Sequence, residues 1–107
     1  MRGELWTVTG GVYASKPRPA LIIQDDFFAG TDSVTVLPLT TTIVDAPLLR
    51  VPIIHTTDNG LVQDSWVMID KLTTVRRSNL AQRIGRVAIE ELINCERLIA
   101  VFLGLAR

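Results

Sequence analysis

Hydrophobic positions fall in short runs and alternations through most of the chain and then change period near its end. Leu5-Trp6-Thr7-Val8 reads as a first strand, stopped by Gly10-Gly11, whose permissive backbone favours a turn. A loop through Tyr13, Ala14, Ser15 and Lys16 follows. In Pro17-Arg18-Pro19 the residue before each proline is driven toward extended geometry, so Arg18 is expected on an extended segment entering a strand. That strand, Ala20-Leu21-Ile22-Ile23-Gln24, is apolar enough to be covered on both faces, and Asp25-Asp26 ends it.

Phe27 and Phe28 read as a loop or one helical turn, and Gly30-Thr31-Asp32 as the next turn. Val34 to Thr40 has strand propensity throughout, with Pro38 predicting an edge or a bulge near its end. Thr40 therefore stands where a strand leaves the sheet. Leu48 to Ile54 is a further strand, and Asp58-Asn59-Gly60 carries strong turn chemistry. Ser65 to Asp70, Thr73 to Val75 and Arg83 to Val87 complete the strands, with a short turn from Ser78 to Ala81.

From Ala88 to about Leu103 the apolar residues Ile89, Leu92, Ile93, Ile99, Phe102 and Leu103 recur at spacings of three and four, with Glu90, Glu91, Asn94 and Arg97 mostly between them. This spacing predicts an amphipathic helix ending near Gly104. Many short strands closed by one helix point to an α+β, mainly β domain: a small curved sheet or open barrel with a helix packed on it.

A length of 107 residues with 48% hydrophobic content fits one domain spanning residues 1–107. The longest apolar run, Leu98 to Leu103, falls well short of the roughly 20 residues of a membrane span, so no membrane association is expected. The Met1-Arg2-Gly3-Glu4 start lacks an apolar signal core, and a cytoplasmic location is the expectation. Cys95 and His55 are the single cysteine and histidine, which excludes an internal disulfide and a multi-cysteine zinc cluster. With carboxylates scattered singly, no metal site and no cofactor is expected. Cys95 reads as a small apolar residue of the helix.

The net charge of zero conceals a segregation: seven acids accompany only Arg50 between Asp25 and Asp70. Lys71, Arg76, Arg77, Arg83 and Arg86 then follow with no acid among them. Such a stretch suits a phosphate backbone, or is a solvated strand-and-turn surface.

Four segments in order resemble the MazF/PemK toxin endoribonucleases. Arg2-Gly3-Glu4-Leu5-Trp6 is similar to that family's opening, Pro17-Arg18-Pro19-Ala20-Leu21-Ile22-Ile23 to its second strand, and Pro38-Leu39-Thr40-Thr41 to the end of the next. Asp64 to Thr74 resembles its later Asp-Ser-apolar strand and the turn after it. The resemblance implies a partly open SH3-like barrel with a C-terminal helix, as in the MazF, PemK and CcdB toxins. It further implies a homodimer, cleavage of single-stranded RNA at short sequences without a metal, and a cognate antitoxin as protein partner.

Carried onto this chain, the resemblance makes Arg18, Thr40 and Asp70 the candidate catalytic residues. Guanidinium is permanently charged and bidentate toward phosphate, and a threonine hydroxyl can donate to a non-bridging oxygen. Asp70 would act as a base if partial burial raised its pKa, or would hold Arg18 or another basic residue in place. Lys16, Thr41, Arg76, Arg77, Arg83 and Arg86 are the candidate substrate-binding residues. Trp66 is expected to face the core, with base stacking as the alternative.

The chain departs from the family in a shorter loop before Arg18, without the His and Glu-Gln of longer members. Met68 stands where some members have arginine, so the resemblance assigns no general acid or base. Two other readings share the fold. One is a non-enzymatic topoisomerase inhibitor of the CcdB kind, whose C-terminal Trp-Gly-Ile is missing from Gly104-Leu105-Ala106-Arg107; the other is an RNA- or peptide-binding module without catalysis.

Overall fold

In the computed structural model, which describes residues 1–10 and 16–106, the alternating segments form seven strands and the 3.6-period segment forms one helix. The strands are β1 (Glu4–Val8), β2 (Arg18–Ile22), β3 (Ser33–Thr40), β4 (Arg50–Ile53), β5 (Ser65–Met68), β6 (Thr73–Arg76) and β7 (Leu80–Arg86); the helix is α1 (Ile89–Phe102). Tyr13, Ala14 and Ser15, expected in a loop, lie outside the described residues, as does Gly11.

All pairings are antiparallel, in the order β4-β5-β3-β2-β1-β7, with β6 also on β3. The sheet is open, since β4 and β7 end the path without pairing to each other. The eight-residue β3 organises it: its first half pairs with β6 from Ser33 to Val36, and its end pairs with β5 at Leu39 and Thr40. Pro38 is not at an outer edge, as its missing N–H suggested, but buried in this central strand. It sits between the last residue bound to β6 and the first bound to β5, where β3 changes neighbours on that side.

Period-two alternation gives the sheet two apolar faces. Leu5, Leu21, Leu37, Leu39 and Val67 join Leu92 and Cys95 of α1 in the main core, while Val8, Ala20, Ile22, Val34 and Val36 form a smaller cluster with Trp6, Val75 and Leu80. Hence β2 is covered on both sides, as its unbroken apolar run requires. Trp66 departs from expectation: Ser65 and Val67 take the buried positions of β5, so Trp66 between them is half-buried on the other face and joins neither core.

Strand β2 starts at Arg18 rather than Ala20, and β7 at Leu80 rather than after the turn. The helix begins after Ala88, whose backbone N–H donates to the Glu91 carboxylate at 2.8 Å. It ends at Phe102, and Gly104 just beyond, with a φ of +76°, lets the Leu105 N–H return to the Ala100 carbonyl at 2.8 Å. Cys95 is fully buried, and that burial pushes its thiol up to about 12.

Candidate active site

Strand register carries Arg18 to Thr40. β2 and β3 pair Ile22 with Val36, Leu21 with Leu37 and Ala20 with Pro38; that register, continued two residues beyond the paired ladder, brings Arg18 toward Thr40. Residues directly opposite in an antiparallel pair share a face and stand close. Both residues line two adjoining cavities and so form the wall between them.

The first cavity, about 350 Å³, holds Lys16, Thr41, Gln63 and Ser65 beside Arg18 and Thr40. Gly60, Leu61 and Val62 line it too, and the turn at Asp58-Asn59-Gly60 that leads into them lies close on β7. A Cβ at Gly60 would sit 1.9 Å from the Ile84 carbonyl oxygen, and one at Gly85 would sit 2.3 Å from Asn59, so two glycines are needed for the backbones to meet. Asn59 is buried but satisfied, its side-chain oxygen accepting from Thr56 and Leu61 N–H and its amide donating to the Ile54 carbonyl. Asp64 anchors the same region by accepting from the His55 backbone N–H at 3.0 Å and pairing with its ring Nδ1 at 2.6 Å. Those two bonds hold the Asp64 carboxyl below its usual range.

The second cavity, about 310 Å³, adds Met68, Lys71 and Thr73. Lys71 closes a single 3₁₀ turn, Ile69–Lys71, between β5 and β6. The sequence marks this lysine only as the start of a basic stretch; its place beside Arg18 and Thr40 comes from β6 turning back along β3.

The Thr40 hydroxyl oxygen accepts from the Thr42 N–H at 3.1 Å. That bond uses a lone pair and leaves the hydroxyl proton able to donate outward. Arg18 is exposed and takes part in none of the ion pairs among the described residues. Among the described residues, neither cavity is lined by a carboxylate or an imidazole.

Asp70 is turned elsewhere. Its carboxylate binds Arg50 at 2.5 Å, and it lines neither cavity. Burial alone would raise its pKa, but the hydrogen bond and charge of Arg50 outweigh it and hold the carboxyl below its usual range. The raised pKa that a base requires is therefore not found, and the basic residue held is Arg50 rather than Arg18.

The remaining cations disperse. Arg76 and Arg77 lie at the opposite end of β3, where Arg76 pairs with Ser33. Thr40 lies seven steps along β3 from Ser33, about 23 Å at the usual rise of a strand. Arg83 is bound to Glu4 at 2.7 Å, and Arg86 donates to the Arg2 carbonyl at 3.2 Å. Among the described residues no cluster of three His, Cys, Asp or Glu side chains could hold a metal, and no helix is long and apolar enough to cross a membrane.

Residues 1–103 match the family model described as PemK-like, MazF-like toxin of type II toxin-antitoxin system. Over 106 residues, 98% of this chain and 97% of the relative, the sequence is 52% identical to a protein of Mycolicibacterium smegmatis named Probable endoribonuclease MazF. Among solved structures, the Mycobacterium tuberculosis toxin MazF-mt6 matches with a TM-score of 0.80 at 24% identity, over 94% of this chain and 96% of that one. An endoribonuclease from mycobacterial species, solved with its cognate antitoxin, matches with a TM-score of 0.83 at 23% identity, over 100% of this chain and 97% of that one. The structural matches establish the open sheet and closing helix as the fold of those toxins.

Proposed function

Because this chain belongs to the PemK-like, MazF-like toxins of type II toxin–antitoxin systems, we propose that it is an endoribonuclease that cuts single-stranded RNA at short sequences, without a metal. The relative that is 52% identical is named as an endoribonuclease. The observation that carries the mechanism is Arg18 and Thr40 on the wall between two cavities that no carboxylate lines among the described residues. Such a wall suits in-line attack by the ribose 2′-hydroxyl, which needs orientation and charge stabilisation more than a metal-bound hydroxide. Arg18 and Thr40 hold the non-bridging oxygens of the scissile phosphate, and Lys16 and Thr41 bind the strand beside it. Asp70 supports the site indirectly, bracing the turn that bears Lys71.

The protein acts as a cytoplasmic homodimer restrained by a cognate antitoxin, the kind of partner with which a matched structure was solved. Exposed Ile89, Val101 and Phe102 on α1, with Leu103 just after it, supply apolar area that a second subunit would cover.

Cleavage is expected to persist in excess chelator and to leave a 2′,3′-cyclic phosphate and a 5′-hydroxyl. The test substrate is an RNA oligonucleotide with one 2′-deoxy sugar immediately 5′ of the scissile bond. Survival of that bond supports the reading; cutting at the normal rate refutes it, and binding of unmodified RNA without cutting points to a module without catalysis.

A further inference from the structure

We propose that Lys71 is the general acid of the reaction, giving the leaving 5′-oxygen its proton; this rests on the endoribonuclease reading above. The two cavities that share Arg18 and Thr40 offer hydroxyls, one amide, one guanidinium and two ammonium groups. Among the described residues neither lining holds a carboxylate or an imidazole and Asp70 is committed to Arg50, so the ammonium donors there are Lys16 in one cavity and Lys71 in the other.

In-line displacement puts the attacking and leaving oxygens on opposite sides of phosphorus. A phosphate gripped at the wall by Arg18 and Thr40 therefore directs one apical oxygen into each cavity. Lys71 is the better-held donor of the two. Ile69 in its turn is fully buried and donates its N–H to the Leu49 carbonyl at 2.9 Å, while Asp70 is tied to Arg50, itself paired with Met68 across β4 and β5. A lysine at the end of a turn tied down through the three residues before it loses less freedom when its ammonium engages a leaving group. None of the ion pairs among the described residues includes Lys71, so no carboxylate among them holds its ammonium.

The step balances as follows. The 2′-oxygen bonds to phosphorus and its proton passes to solvent; the bond from phosphorus to the 5′-oxygen breaks, and its electron pair takes a proton from Lys71 Nζ. The products are the cyclic phosphodiester, the 5′-hydroxyl and a neutral lysine that solvent reprotonates.

The test compares the full-length protein with Lys71→Ala and Lys71→Arg on two substrates cut at a site mapped with the wild type. One is ordinary RNA; the other carries sulfur in place of the leaving 5′-oxygen, and a thiolate departs without a proton. Lys71→Ala is expected to slow cleavage of ordinary RNA about 10²-fold or more and to cut the thio-substrate within a few-fold of wild type. Lys71→Arg keeps the charge but not a transferable proton and stays slow on ordinary RNA. Near-normal cutting of ordinary RNA by either variant overturns the assignment, as does equal slowing on both substrates, which would mark a binding or positioning role. Thermal unfolding of each variant confirms that the fold is intact. If the wild type cuts neither substrate, the endoribonuclease reading itself has failed.

Discussion

Two groups of basic side chains in this molecule differ in what answers their charge. Arg2, Arg50 and Arg83 are each paired with an acid: Glu96, Asp70 and Glu4. Lys16, Arg18 and Lys71 line the two cavities and enter no ion pair among the described residues. A charge already answered inside the chain holds elements together; one left unanswered at a concave surface is available to a phosphate. Arg18 and Arg50 make the contrast sharpest, since each stands at the first residue of a strand.

Breaking the unanswered side should have the largest effect. Arg18→Ala and Thr40→Ala are each expected to lower RNA cleavage by about 10² to 10³-fold, the usual cost of losing one donor to a developing anion. The denaturation midpoint should stay unchanged, because Arg18 is exposed and Thr40 ends its strand. Near-normal turnover in either variant would remove the site from this end of β3.

Breaking the answered side should reverse that result. The Arg50 side chain is only 12% exposed and Asp70 a quarter exposed, so Arg50→Ala leaves the Asp70 carboxylate unpaired and should cost about 1 to 3 kcal/mol of stability, read from urea denaturation. Cleavage measured where the variant is still folded should fall less than for Arg18→Ala. A fully stable Arg50→Ala would mean the pair braces nothing.

Local chemistry made much of this legible in the sequence, and long-range pairing supplied the rest. The proline-flanked Arg18, the strand end at Thr40 and the turn at Asn59-Gly60 are written in neighbouring residues, and the helix in a period of 3.6. Asp70, by contrast, has Lys71 beside it in sequence yet binds Arg50, 20 residues away, because β4 and β5 pair. The basic stretch from Lys71 to Arg86 looked continuous, but it runs through two turns and two strands that send its members to separate surfaces. Trp66 was misjudged for a similar reason: alternation fixes that Trp66 and Val67 face opposite ways, not which of them meets the helix.

Acid should loosen the answered group in a defined window. Burial would raise the Glu4 carboxyl, but the N-terminal ammonium, Arg83 and the Trp6 indole N–H outweigh it and bring it from the usual 4.5 to about 2. A carboxyl lowered by folding contributes stability that is complete above its unfolded pKa and lost as pH falls through the folded one. Urea midpoints should therefore be flat above about pH 5 and decline toward pH 2, with Glu4→Gln less stable at neutral pH and less sensitive to acid. An unchanged slope in Glu4→Gln would assign the acid sensitivity elsewhere, with Asp70 next in line.

The smallest effect is expected at the far end of β3, where Arg76 and Arg77 line a separate cavity of about 710 Å³ with Thr31, Asp32 and Ser78. Arg77 is partly committed, its Nε donating to the Thr31 carbonyl at 2.8 Å, whereas Arg76 is exposed. At about 23 Å from Thr40 neither can touch the scissile phosphate, so any contribution must come from flanking phosphates of a longer strand. Arg76→Gln should raise KM for a long RNA a few-fold at low salt and leave kcat alone. Each lost phosphate contact should also make the logarithmic salt slope shallower by about 0.7. A short oligonucleotide confined to the cavities around Arg18 should not register the substitution at all. If instead kcat fell on the short substrate, Arg76 would have to act on the chemistry, and the separation of phosphate grip from strand binding along β3 would collapse.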